Sequence, residues 1–198
     1  MTRHEASAAP AEVDGIWTVP NIVTLVRLLC LPVFIILLFP LENRIAAAFT
    51  LGALGATDWV DGYLARRLGQ VSEFGKKFDP TVDRLLLIVG LTAILIDGSI
   101  PLWFGIAILV REIVVGGTIA IATVAFGMQR FDVTFWGKTA TLLLMFAVPG
   151  FLLGASDIAG ASVFQAVSWI LGVPGLILSY TTAAVYVPRI RDGLRSVG

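Results

Sequence analysis

Asp58-Trp59-Val60-Asp61-Gly62-Tyr63-Leu64-Ala65-Arg66, followed by Gly75-Lys76-Lys77-Phe78-Asp79-Pro80-Thr81-Val82-Asp83, sets four aspartates between long apolar segments. Ionised carboxylates beside hydrocarbon are costly, so acids in such places mark functional sites by default. Asp58 and Asp61 are three residues apart, and Asp79 and Asp83 four apart. Both spacings place a pair on one face of a helix. Two antiparallel helices joined by a short loop would bring those faces together. Four converging carboxylates repel unless a cation offsets them. An all-oxygen donor set suits Mg2+ or Mn2+ rather than zinc. Gly62 and Gly75 permit close backbone approach. Arg66, one turn beyond Asp61, is placed to reach a phosphate. The pattern describes a metal-dependent diphosphate pocket at a membrane boundary.

The surrounding chain fits that setting. Of 198 residues, 57% are hydrophobic and 14% charged, too apolar for a soluble domain and typical of a polytopic membrane protein. Six apolar segments run over about 21–39, 45–65, 80–96, 101–126, 138–154 and 162–187, each near the ~20 residues a helix needs to cross a bilayer. Asn21 is the expected N-cap of the first. Asp79-Pro80 is the expected start of the third, with proline at the first helical position. Short linkers predict an all-α bundle of six transmembrane helices in a single domain, 16–198. Residues 1–15 read as a flexible cytoplasmic tail. They lack the charged, apolar and cleavage regions of a signal peptide. Trp17, beside Ile16 and Val19, suits the membrane interface.

Orientation follows from the cations. Arg66, Arg67, Lys76, Lys77, Arg130, Arg189, Arg191 and Arg195 lie on one side, and Arg44 with Asp97 and Asp157 on the other. The positive-inside rule then places both termini and all four aspartates at the cytoplasmic side of the cell membrane.

Several chemistries are excluded. Cys30 is the one cysteine and lies in an apolar run, so it reads as a small buried hydrophobe. His4 is the one histidine and lies in the polar tail, which argues against a triad or a His-ligated zinc. Fourteen basic residues balance fourteen acidic ones, so nothing points to nucleic acid.

Asp58-x2-Asp61-Gly62-x2-Ala65-Arg66-x8-Gly75-x3-Asp79-x3-Asp83 resembles the signature of the CDP-alcohol phosphatidyltransferases, with eight fixed positions met over 26 residues. Pro20-Asn21-Ile22-Val23-Thr24-Leu25-Val26-Arg27 is similar to the first helix of the phosphatidylglycerophosphate and cardiolipin synthase branch. Arg111-Glu112-Ile113 and Gly137-Lys138-x2-Thr141 also look like that branch. The resemblance implies a six-helix membrane enzyme, a homodimer, that moves a phosphatidyl group from CDP-diacylglycerol to an alcohol and releases CMP. By position, Asp58, Asp61 and Asp79 would hold the metals, two ions being expected. Asp83 would be the general base and a further metal ligand. Asp58, Gly62, Ala65, Arg66 and Gly75 would shape the nucleotide and diphosphate pocket.

The acceptor is read from the remaining charges. Arg111, Arg130 and Lys138 are candidates to hold a phosphorylated alcohol. Arg111 with Glu112 reads equally well as a structural pair bridging helices. Arg27, about two turns into the first segment, reads as a positioning residue near the interface, where it can snorkel. Arg84 either pairs locally or faces headgroups. The chain departs from the phosphatidylglycerophosphate synthase pattern at two places. Gly117-Thr118-Ile119 stands where a Leu-Arg pair is usual, and Ala140 stands where a second lysine is common. The expected acceptor is sn-glycerol 3-phosphate, with phosphatidylglycerol, and so a cardiolipin synthase, as the alternative. A cation-coupled transporter would instead place its acids at the midplane, within repeats and broken helices.

Overall fold

A computed structural model describes residues 18–68, 73–126 and 135–195. The side chains of 19–20, 58–68, 73–77, 79–80, 115, 118–126 and 185–195 lie outside the described set, as do residues 1–17 with the expected tail, His4 and Trp17. The described residues form six helices and no strand: α1 Val19–Leu38, α2 Arg44–Leu68, α3 Glu73–Asp97, α4 Leu102–Phe126, α5 Phe135–Gly154 and α6 Ala161–Arg195. Each expected apolar segment lies within one helix, give or take a residue at its ends. Three of the helices, α1, α5 and α6, are long and apolar enough over their described residues to cross a membrane. In α2 the described apolar stretch is Arg44–Thr57.

The helices outrun the apolar segments where the sequence turns polar. α3 begins at Glu73, seven residues before Pro80, and α6 continues to Arg195, eight past the apolar run. Apolarity marks where a helix meets hydrocarbon, whereas backbone hydrogen bonding continues into water. Asp79 is therefore not a helix cap; it lies in the second turn of α3. At 1.5 Å per residue, the 35-residue α6 is about 52 Å long, well beyond a ~30 Å hydrocarbon core.

The other boundaries have local causes. Thr18, not Asn21, caps α1: its Oγ1 accepts from the Asn21 backbone N–H at 3.4 Å. Pro20 sits in the first turn, where its missing N–H costs nothing. Asn43 caps α2, its Oδ1 accepting from Ala46 N at 2.9 Å. Gly98 ends α3 with φ +76°, a conformation that favours glycine.

Contacts close the helices into a ring, in the order α1, α2, α5, α6, α4, α3 and back to α1. The α5–α6 contact is the most extensive. Small residues explain it, because packing in lipid relies on close approach rather than on the hydrophobic effect. A Cβ on Gly154 would meet the Gln165 Cα at 3.0 Å, and one on Gly175 the Leu143 Cβ at 3.0 Å. A Cβ on Gly150 would collide with Ser168 Oγ. Inside the ring lies a core of Leu31, Phe34, Leu38, Ala47, Leu91, Ile94, Phe104 and Phe151, among others. Phe104, Phe151 and Trp169 pack ring on ring across α4, α5 and α6, with centroids 5.1–5.5 Å apart. The outer surface is apolar too. On α1, Ile22, Val26, Leu29, Val33 and Ile36 face outward, as lipid-facing positions should.

Candidate active site

The inward face of α1 changes character along its length. Thr18, Asn21, Thr24 and Arg27 are buried at three-residue intervals; Leu31, Phe34 and Leu38 continue the stripe as apolar core. Buried polar groups cost free energy unless they are partnered. The end of the bundle around Arg27 must therefore be polar inside.

What meets Arg27 is Asp83 of α3. Nη1 donates to Oδ1 at 2.6 Å, a short charge-assisted bond. Burial is uneven: the Arg27 side chain is 4% exposed and that of Asp83 41%. Arg27 thus does not snorkel outward, contrary to the expectation from its place near the interface. A buried guanidinium needs a carboxylate more than an interface needs a lysine-like anchor. Asp83, by contrast, is partly exposed.

The backbone positions of the three other signature carboxylates follow from register. At the far end of the bundle, Arg44 opens α2 and is clamped by Asp97, which closes α3. Nε donates to Oδ2 at 2.9 Å and Nη2 to Oδ1 at 3.1 Å. Ser99 Oγ donates to the same Asp97 Oδ2. Seven residues further along α2 and seven back along α3, Leu51 reaches Gly90, within 3.7 Å of where a Cβ would stand. The two helices are therefore antiparallel and in step. Seven more residues in each, at the same register, are positions 58 and 83; positions 61 and 79 follow about one turn on. The side chains of Asp58, Asp61, Arg66 and Asp79, with Gly62, Ala65 and Gly75, lie outside the described set. Among the described residues alone, no group of three or more His, Cys, Asp and Glu side chains gathers.

The acceptor candidates separate. Arg111 Nη1 donates to Glu112 Oε2 at 2.8 Å, so this pair is local to α4 and does not bridge helices. Arg84 of α3 comes up to the same stretch of α4. A Cβ on Gly116 would lie 3.3 Å from both Arg84 Nε and Glu112 Oε1. Arg84 therefore faces α4 rather than headgroups, and Gly116 leaves the room for it. Arg111 Nε is buried with no hydrogen-bond partner among the described residues. Lys138 is exposed in the first turn of α5. Arg130 lies outside the described residues. Cys30 is half-buried and reduced.

The sequence profile of the CDP-alcohol phosphatidyltransferases matches residues 17–179. The chain belongs to that family. The match takes in α1 to α5 and most of α6. Among relatives of this family, a Streptomyces coelicolor protein named cardiolipin synthase (CMP-forming) is 32% identical over 98% of this chain and 92% of its own length. A Rickettsia typhi protein named CDP-diacylglycerol–glycerol-3-phosphate 3-phosphatidyltransferase is 35% identical over 82% of this chain and 93% of its own. One of the same name from Pseudomonas fluorescens is 41% identical over 49% of this chain and 52% of its own. The family signature runs from the last turns of α2 into the first turns of α3. Arg27 lies outside that signature and meets its last aspartate. Its depth was visible in the sequence, but its partner, 56 residues away, was not.

Proposed function

We infer that this membrane protein transfers a phosphatidyl group from CDP-diacylglycerol to the hydroxyl of a glycerol-type acceptor and releases CMP. The observation that carries the reading is the complete signature on two helices whose register sets Asp58 level with Asp83. All six helices cross the bilayer in this reading, with both termini and the site on the cytoplasmic side, as the cation distribution requires. The working form is a homodimer.

The donor chemistry fits Mg2+ or Mn2+: carboxylates alone, with Asp83 partly exposed while bonded to Arg27. Asp58, Asp61, Asp79 and Asp83 would hold two ions. A divalent cation bound there supplies charge that neutralises the diphosphate and the departing CMP. Arg66 and the glycines Gly62 and Gly75 hold the diphosphate in line. Asp83 takes the acceptor proton as its oxygen bonds to the phosphatidyl phosphorus and the bond to CMP breaks. CMP leaves as a stable anion, so positioning and electrostatics carry the step.

sn-Glycerol 3-phosphate is the first acceptor in this reading. Two observations favour phosphatidylglycerol as the second. Glu112 already matches the charge of Arg111 at 2.8 Å, and Ala140, fully buried, occupies the place of a further lysine. The name of the Streptomyces relative, matched over nearly the whole chain, supports the same alternative. The test is CMP release by the purified protein from CDP-diacylglycerol and Mg2+ or Mn2+, with each acceptor offered separately and the lipid product identified. Release of CMP with neither acceptor, from folded protein and with metal present, removes the proposed substrates; failure to bind CDP-diacylglycerol as well removes the reaction.

A further inference from the structure

We propose that α1 forms a third wall of the active site and that Arg27 is the positioning residue of Asp83, fixing the carboxylate from the closed side of the site. The proposal rests on the reaction inferred above.

Three observations carry it. The Arg27–Asp83 bond joins α1 to α3 across 56 residues at 2.6 Å. It therefore sets the lateral position of a carboxylate that its own helix sets only in height. The exposures are opposed: the guanidinium is sealed in the bundle, and the carboxylate it holds is 41% exposed. An interface ion pair would expose both groups, whereas a purely structural buried pair would hide both. The buried stripe that carries Arg27 is polar over Thr18, Asn21 and Thr24 and turns apolar at Leu31. The α1 segment alongside the site is thus built of polar groups over about three turns, while the rest of the same face packs as core.

Neither simple charge pairing nor helix stapling accounts for the pair. Simple charge pairing of two interfacial residues does not bury a guanidinium to 4%. Helix stapling for stability is already supplied at the other end of α3 by the bidentate Arg44–Asp97 clamp with Ser99. That clamp lies about 21 Å along the helix from Asp83.

Arg27 acts through Asp83 in two ways. It limits the side chain to one orientation, which matters because a misplacement of about 1 Å can cost roughly 10²-fold in rate. It also gives the four-carboxylate cluster a fixed positive charge that lies outside the signature. Lysine would keep the charge without the planar fork, so Arg27→Lys should restore only part of the function.

The experiment uses the full chain in lipid nanodiscs with CDP-diacylglycerol, Mg2+ and the active acceptor. Wild type, Asp83→Asn, Arg27→Gln, Arg27→Lys and the Arg27→Gln/Asp83→Asn double variant are compared at equal folded concentration. Arg27→Gln is expected to lower kcat about 10²-fold with KM for CDP-diacylglycerol changed by less than about threefold. Arg27→Lys should recover about tenfold of that loss. In the Asp83→Asn background, removing Arg27 should lower the rate no further, since the two act as one unit. If Arg27→Gln fails to fold, the Arg27→Lys split between kcat and KM decides alone. A variant that melts earlier yet turns over at the wild-type rate overturns the positioning role, as does full additivity with Asp83→Asn. Should wild type itself release no CMP while binding donor and metal, the inferred reaction falls, and this role with it.

Discussion

Gly172 and Gly52 make a matched pair for asking what holds the ring of helices closed. Both are interior helix positions, in α6 and α2. A Cβ on Gly172 would stand 2.8 Å from Phe104 Cζ and 3.4 Å from Ala147 Cβ. Ordinary carbon contacts are about 3.5–4.0 Å, so something must shift by about 0.7 Å or more. Phe104 is fully buried and wedged 5.5 Å from the rings of both Phe151 and Trp169, so it has no room to swing. Overpacking of this kind costs about 1–3 kcal/mol. Replacing an interior helical glycine with alanine returns about 1 kcal/mol of backbone propensity. Gly172→Ala should therefore destabilise by about 1 kcal/mol net, because the clash outweighs the propensity. At Gly52 nothing lies within 4 Å of the added carbon, so propensity acts alone and Gly52→Ala should stabilise by about 0.5–1 kcal/mol. The two variants should differ by about 2 kcal/mol, or about 4–8 °C in melting temperature for a chain of this length. The assay is thermal unfolding in one detergent at one scan rate, followed by tryptophan fluorescence, with Trp169 reporting from the cluster itself. Equal melting temperatures, or a Gly172→Ala protein that melts later, would refute the claim that the α4–α5–α6 contact is packed to its limit.

Three further outcomes are expected. Asp83→Asn should lower turnover by about 10²–10⁴-fold, the range for loss of a general base, while metal-dependent binding of CDP-diacylglycerol largely persists; near-normal activity would remove Asp83 from that role. Stripping divalent cations with a chelator should abolish CMP release, with Mg2+ or Mn2+ restoring it; restoration by zinc alone would contradict an all-carboxylate site. Arg44→Met should cost about 1.5–3 kcal/mol of stability, since it leaves the mostly buried Asp97 without its charge-assisted bonds, yet kcat per folded molecule should stay unchanged. A selective loss of turnover there would mean that the two ends of α3 are coupled.

The six apolar segments were legible because hydrocarbon demands long runs of apolar side chains, and each lies in one helix. Their ends were less legible. Asn21 and Thr18 are both good caps, and the choice between them depends on which backbone N–H the side chain reaches. Pro80 looked like a helix start, yet α3 runs through it from Glu73, because a proline inside a helix removes one hydrogen bond without ending the others. Arg111 and Glu112 are neighbours in sequence and proved to be each other's partner. Arg84, 32 residues before Gly116, comes within 3.3 Å of where a Cβ on that glycine would stand, which no spacing within one helix reveals.

By itself the sequence determined the family, the helical class and the set of acids to which the proposed chemistry is assigned. Those properties depend on side-chain type and on spacings within one helix, which the helical repeat converts directly into a shared face. Tertiary structure alone decided the order of helices around the ring, the register of α2 against α3 and the partner of Arg27. These depend on contacts between distant segments, selected by where small residues let backbones approach and where a buried charge finds its opposite.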